Sequence, residues 1–70
     1  MIRYRLKTDT FVLSRGQVEI TAFATPTTER GGSSITCTVS TRTGGEERAR
    51  ARALAELRAR IARDGNQVEE

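Results

Sequence analysis

Among side chains able to take part in a reaction, this sequence offers one cysteine, Cys37, nine carboxylates and a single lysine, and it has no histidine. Without histidine no side chain has an ordinary pKa near neutrality, so acid–base catalysis would need a carboxylate or lysine shifted by burial. The carboxylates do not stand where that would happen: Glu46 and Glu47 open a helical stretch, Asp64 closes it, and Glu19 is alone among outward threonines. Cys37 as a nucleophile would need a neighbouring base and some exposure. Its place between Ile35 and Val39 on an alternating segment reads instead as a small core residue. One cysteine excludes an internal disulfide, and the lack of histidine removes the common zinc ligand sets, so neither metal nor cofactor is expected. Gly44-Gly45 ahead of a helix would cradle an anion, but Glu46 and Glu47 repel one. The chain therefore reads as a binding protein and not as an enzyme.

The surfaces that could bind are set by four elements, of which the last has the strongest pattern. Glu46 to Arg63 consists of Ala, Leu, Arg and Glu with one β-branched residue, Ile61, and without Gly or Pro, which predicts a helix over about 44–63. Thr43 stands three residues before Glu46, the spacing of a capping box. Glu46 and Glu47 suit the positive end of the helix dipole, Arg60 and Arg63 the negative end, and Gly65 suits the left-handed residue that closes a helix. At about 100° per residue, Leu54, Leu57 and Ile61 form an apolar stripe flanked by Ala51 and Ala53. The opposite side carries Arg48, Arg52, Arg60 and Arg63 around Glu56, which is spaced to pair with Arg52 and Arg60. Arg50 falls on the apolar stripe, so its stem should follow the core edge and its head reach Glu46.

Three strands are expected ahead of the helix, over about 2–13, 17–25 and 33–42. In the first, Ile2, Tyr4 and Leu6 alternate with Arg3, Arg5 and Lys7. Phe11 and Leu13 are out of phase with that inward set, which calls for a β-bulge at Thr8-Asp9-Thr10 or a break into two short strands. A two-residue turn at Arg15-Gly16 would set Leu13 opposite Val18 and Phe11 opposite Ile20. A type I′ turn there asks Arg15 for a positive φ, so a longer loop remains open. Val18, Ile20, Ala22 and Ala24 then face inward, as do Ile35, Cys37 and Val39 of the third strand. Thr25 to Ser34, with Pro26 and Gly31-Gly32, is a loop. The fold class is α+β: a three-stranded antiparallel meander with one C-terminal helix packed on one face, in a single domain over 1–65, followed by a frayed acidic tail at 66–70.

Twelve Lys+Arg against nine Asp+Glu give +3 over 70 residues, and eleven of the twelve are Arg, which favours forked contacts with phosphate or carboxylate. The amino end lacks the apolar run of about 7–15 residues that a secretory signal needs, so a cytoplasmic protein with no membrane contact is expected. Two surfaces remain. One is the open sheet face, with Arg3, Arg5, Lys7, Thr21, Phe23, Thr36, Thr38 and Arg42, on which Phe23 would anchor a partner; the basic helix face of Arg48, Arg52, Arg60 and Arg63 is secondary to it. The other is the edge of the third strand. Arg3, Arg5 and Lys7 guard the first strand, whereas Ser33 to Thr41 has neither charge nor Pro and would invite the chain's own twin or a partner's strand.

Three strands followed by the helix reading GGEERARARALAELRARIARDG resemble the arm-type DNA-binding domain of phage tyrosine integrases over Gln17 to Gly65. That resemblance implies that Arg3, Arg5, Thr21, Phe23, Thr36, Thr38 and Arg42 face a DNA groove. In architecture and size alone, the short chain with its decorated face and unguarded edge is similar to small phage or mobile-element inhibitors of anti-CRISPR type. This likeness implies a protein that occludes a working surface of a host nucleic-acid-handling complex, itself a protein or nucleoprotein partner. A structural or assembly subunit is a third expectation.

Overall fold

Alternation fixes the central strand first. Val18, Ile20, Ala22 and Ala24 are at most 2% exposed, while the residues between them lie on the other face. The computed structural model describes residues 1–27 and 33–69; the centre of the expected loop, with Gly31-Gly32, lies outside the described residues, as does Glu70. The elements are β1 (Arg3–Val12), β2 (Gln17–Pro26), β3 (Ile35–Arg42), α1 (Glu46–Arg63) and β4 (Gln67–Val68). They form the expected α+β meander, β1 and β3 each antiparallel to β2, with a fourth short strand added in the order β3-β2-β1-β4.

The tail is not frayed. Gly65 (φ 76°) closes α1 in a Schellman motif, its N–H donating to the Ala62 carbonyl and the Asn66 N–H to that of Ile61. The chain so turned runs along β1 as parallel β4, with Gln67 N–H donating to the Ile2 carbonyl and Glu69 N–H to that of Tyr4. Asn66 Oδ1 accepts from the Ile2 N–H at 2.8 Å, and Arg5 meets Glu69 at 2.8 Å. Composition alone suggested an acidic end without structure; backbone pairing to an otherwise open edge orders it instead.

The expected bulge at Thr8–Thr10 is not there either, and β1 is unbroken. The ladder pairs Phe11 with Glu19 and Val12 with Val18, one residue out from the expected register. The extra residue is absorbed beside the turn. Leu13 N–H donates to the Gln17 carbonyl and Gln17 N–H to that of Ser14, so Gln17 faces two residues of the other strand. Arg15 (φ 61°) and Gly16 (φ 72°) take the left-handed turn that the short loop demands.

The helix backbone lies over β2 and β3 and reaches β1 mainly through side chains, Leu57 and Ile61 in one core cluster with Tyr4, and Arg50 at Thr10. Its buried row is Ala49, Ala53, Leu57 and Ile61, with Leu54 half-buried and Ala51 exposed, so the helix is rotated from the expected stripe. The reason is steric: Ala22 and Ala24 have no bulk above the sheet, and the small Ala53 together with Leu57 and Ile61 packs on them, while Ala49 packs on Val18 and Ile20. Thr43 makes no cap. Its hydroxyl and N–H both donate to the Gly16 carbonyl, tying the hairpin turn to the β3–α1 connection, and Gly45 is the N-cap residue. Glu46 instead accepts from the Gly44 N–H at 2.5 Å.

Candidate binding surfaces

The sheet face away from α1 is built by the odd residues of β1 and β2 and the even residues of β3. Register lines them up in rows: Lys7–Phe23–Thr36, Asp9–Thr21–Thr38, Phe11–Glu19–Ser40, and Gln17–Arg42 at the hairpin end. All eight residues assigned to this face from the sequence stand on it. Thr21 and Thr38 are joined by a 3.1 Å hydroxyl contact. Phe23 is half-buried between Lys7 and Thr36, and among the described residues no helix or strand lies over it.

Two residues join that face against expectation. Because β1 keeps its phase, Phe11 lies beside Glu19 at 49% exposure and is not paired inward with Ile20. Leu13, 44% exposed, lines a shallow basin of about 250 Å³ with Gln17, Glu19, Ser40 and Arg42. The signal for Phe11 was present in the sequence, since an odd number shared with Arg3, Arg5 and Lys7 already assigns it to their face. Val12 is on the helix side yet 78% exposed, because α1 does not reach that part of β1.

The charge on the open face is mixed. Arg3, Arg5, Lys7 and Arg42 stand against Asp9 and Glu19. Arg5 is also engaged by Glu69, whose carboxyl is held below its ordinary range by the hydrogen bond and charge of that guanidinium.

The helix carries arginines on either side of its buried row. Toward β1, Arg50 donates to Thr10 Oγ1 at 3.3 Å and does not turn back to Glu46. Toward β3 run Arg48, Arg52, Glu56 and Arg60, all exposed, followed by Arg63. Glu56 divides its oxygens: Oε1 lies 3.4 Å from Arg52 Nε, and Oε2 accepts from the Cys37 thiol at 3.0 Å. The expected pair with Arg60 is not made. Arg48, Arg60 and Arg63 have no ion pair among the described residues.

Cys37 faces inward as expected but at the sheet margin, half-buried against the core. Its hydrogen bond to Glu56 and its burial push the thiol pKa up, outweighing Arg52 and Arg60, which pull it down. Such a carboxylate stabilises the thiol and opposes a nucleophilic thiolate. Among the described residues no cluster of three or more His, Cys, Asp or Glu could hold a metal ion, and no helix is long and apolar enough to cross a membrane.

Fold and surfaces together define a small α+β domain whose chemistry-bearing side chains lie on faces and not in a cleft. No protein-family model, curated protein or solved structure matches this chain.

Proposed function

We propose that this chain is a non-enzymatic binding module which covers a surface of a protein partner with the open face of its sheet. In its specific form the reading is an inhibitor of a host nucleic-acid-handling complex, of the phage or mobile-element kind. The observation that carries it is a set of apolar side chains on the open face, Phe11 and Leu13 toward the hairpin end and half-buried Phe23 two rows away, among Lys7, Arg42, Asp9, Glu19 and three threonines. Aromatic anchors ringed by polar side chains are how protein interfaces concentrate their binding energy. Arg3, Arg5 and Lys7 suit an acidic patch or the phosphate-bearing border of a nucleoprotein assembly.

A second reading, duplex DNA in contact with the same face, is favoured by the position of Arg3, Arg5, Lys7 and Arg42 on one side of the sheet. Asp9 and Glu19 in the middle of that face weaken it, because affinity for a phosphate backbone comes from unbroken positive charge. The discriminating experiment compares the wild type with a Phe11→Ser/Phe23→Ala double variant in capture from host lysate and in binding to random duplex DNA. The protein-binding reading expects the captured partner's affinity to fall about 30-fold or more, the effect of about 2 kcal/mol at an interface anchor. An unchanged partner set in the variant refutes it. DNA affinity that falls steeply between low and moderate salt, and is indifferent to the two phenylalanines, supports the second reading.

A further inference from the structure

The outer border of β3 is a different surface, built from a bare strand edge and a row of arginines above it. β3 ends the sheet, so the outward N–H and C=O groups of Ile35–Arg42 have no partner strand among the described residues. Nothing on β3 discourages pairing, since its only charge is the terminal Arg42. The opposite edge is treated otherwise, β4 covering it at Arg3 and Tyr4.

The arginine row overhangs this bare edge. Arg48 and Arg52 border an open groove of about 650 Å³ whose floor includes Val39, Ser40 and Thr41. Arg60 and Arg63 border another of about 310 Å³ beside Thr36 and Cys37. The 3.0 Å contact between Cys37 and Glu56 fixes the row over β3.

We propose that the β3 edge takes up an extended segment of a partner protein as an added strand, and that this segment carries acidic side chains at alternate positions on the side facing α1. The two periods agree. Helix residues four apart are about 6 Å apart along the axis, and alternate residues of a strand are about 6.6–6.8 Å apart. Carboxylates on one face of the added strand therefore come into step with Arg48, Arg52 and Arg60, the row being interrupted once, at Glu56, whose own oxygens are taken by Arg52 and Cys37. Backbone pairing supplies the affinity and the arginines select the sequence.

A second copy of this chain is the poorer occupant. Antiparallel pairing of β3 with its twin about a two-fold axis puts both helices on the same side of the joined sheet, so that one arginine row faces the other. Like charges so placed oppose association. Nucleic acid could meet the arginines but would leave the strand's backbone groups without partners.

The test uses the full chain and fluorescein-labelled peptides as long as β3 that alternate threonine with glutamate or threonine with lysine. The proposal expects the glutamate peptide to bind at least about tenfold more tightly. This preference should collapse in an Arg48→Gln/Arg60→Gln variant, whose changes are on exposed positions that make no ion pair among the described residues and leave the thermal midpoint near that of the wild type. Two further glutamate peptides carry N-methyl groups on every threonine or on every glutamate. Alternate residues point their N–H groups to the same edge, so one of these peptides should lose binding and the other keep it. Absence of glutamate-peptide binding, equal affinity for the lysine peptide, or binding by both methylated forms overturns the proposal. Concentration-dependent dimerisation blocked by Thr38→Lys would overturn it in favour of the twin, and random duplex DNA bound through the same arginines in favour of nucleic acid. These readouts do not involve Phe11 or Phe23, so they succeed or fail apart from the sheet-face reading.

Discussion

Leu57→Ala tests the rotational setting of the helix, on which the proposed β3-edge surface depends. Leu57 is 1% exposed and packs with Tyr4, Ala22, Ala24, Ala53 and Ile61. Four of the nine buried apolar residues among the described residues are alanines, so most of the core volume comes from Tyr4, Val18, Ile20, Leu57 and Ile61. Truncating one of these five leaves a hole whose nearest walls are short side chains on a sheet, which collapse poorly. The cost should therefore fall in the middle of the usual range for such deletions and not at its low end, about 3–4 kcal/mol. A domain of 70 residues has roughly 3.5–10 kcal/mol of stability in all, and each kcal/mol is worth about 4–8 °C at this size. The midpoint should then fall by about 12–30 °C, and by urea the variant should show a lower midpoint with an unchanged slope. Leu54→Ala is the control, because Leu54 is only half-buried on the β1 side; it should cost about 1–2 kcal/mol, in proportion to the area lost. If Leu54→Ala costs as much as Leu57→Ala, or Leu57→Ala less than about 1 kcal/mol, the stripe has been assigned to the wrong side of the helix.

Three further outcomes are expected. Gly45→Ala should destabilise by about 1–2 kcal/mol, because a methyl group there collides with Thr41 Oγ1 and alanine is a poor N-cap; Thr41→Ala should recover part of the loss, read as coupling in a double-mutant cycle. Glu56→Gln should lower the pH at which Cys37 is alkylated by iodoacetamide, since it removes the carboxylate that raises the thiol pKa and leaves Arg52 and Arg60, which lower it; an unmoved or higher pH profile contradicts the assignment. Glu69 has a depressed folded pKa, so its contribution to holding β4 is present above the ordinary carboxylate range and lost as pH falls through that depressed value. NMR signals of Gln67 and Val68 should accordingly shift slightly at acid pH, as the loss of one exposed ion pair allows, with β4 still paired to β1 through its backbone, and Glu69→Gln should show the same small shift at neutral pH.

The strands were legible where one rule acted alone. Val18, Ile20, Ala22 and Ala24 alternate strictly and are all buried, and the composition of Glu46–Arg63 predicted the helix that is found there, its start two residues later than the expected 44. The eight open-face residues followed from the same alternation. The failures came where a local pattern competed with a partner distant in sequence. Apolar character argued Phe11 inward, whereas unbroken pairing with β2 kept it outward. Thr43 has the spacing of a cap, but the Gly16 carbonyl on another turn took its hydroxyl. Arg50 found Thr10 and not Glu46, and the acidic tail found β1. None of these partners lies within four residues in the chain, so periodicity and capping rules had no access to them.

The alanine contact links these corrections to the proposed surfaces. With Ala49 and Ala53 seated on the alanines and aliphatics of β2, the helix rows on either side of the contact are assigned without further choice. Arg50 and Leu54 go toward β1, and Arg48, Arg52, Glu56 and Arg60 toward β3. A rotation of one residue, about 100°, would bring Leu54 into the contact and carry the arginine row away from the bare edge. The sheet face beneath would be unaffected, because its residues are set by strand phase and not by the helix. Ala53→Leu therefore separates the two surfaces. Overpacking at a fully buried position should cost about 1–3 kcal/mol and tilt the arginines off β3. Selection between the glutamate and lysine peptides should weaken, while capture through Phe11 and Phe23 persists in the fraction that remains folded. Ala51→Leu, on the exposed side of the same helix, should change neither, and equal effects from the two substitutions would refute the link between helix rotation and the β3 edge.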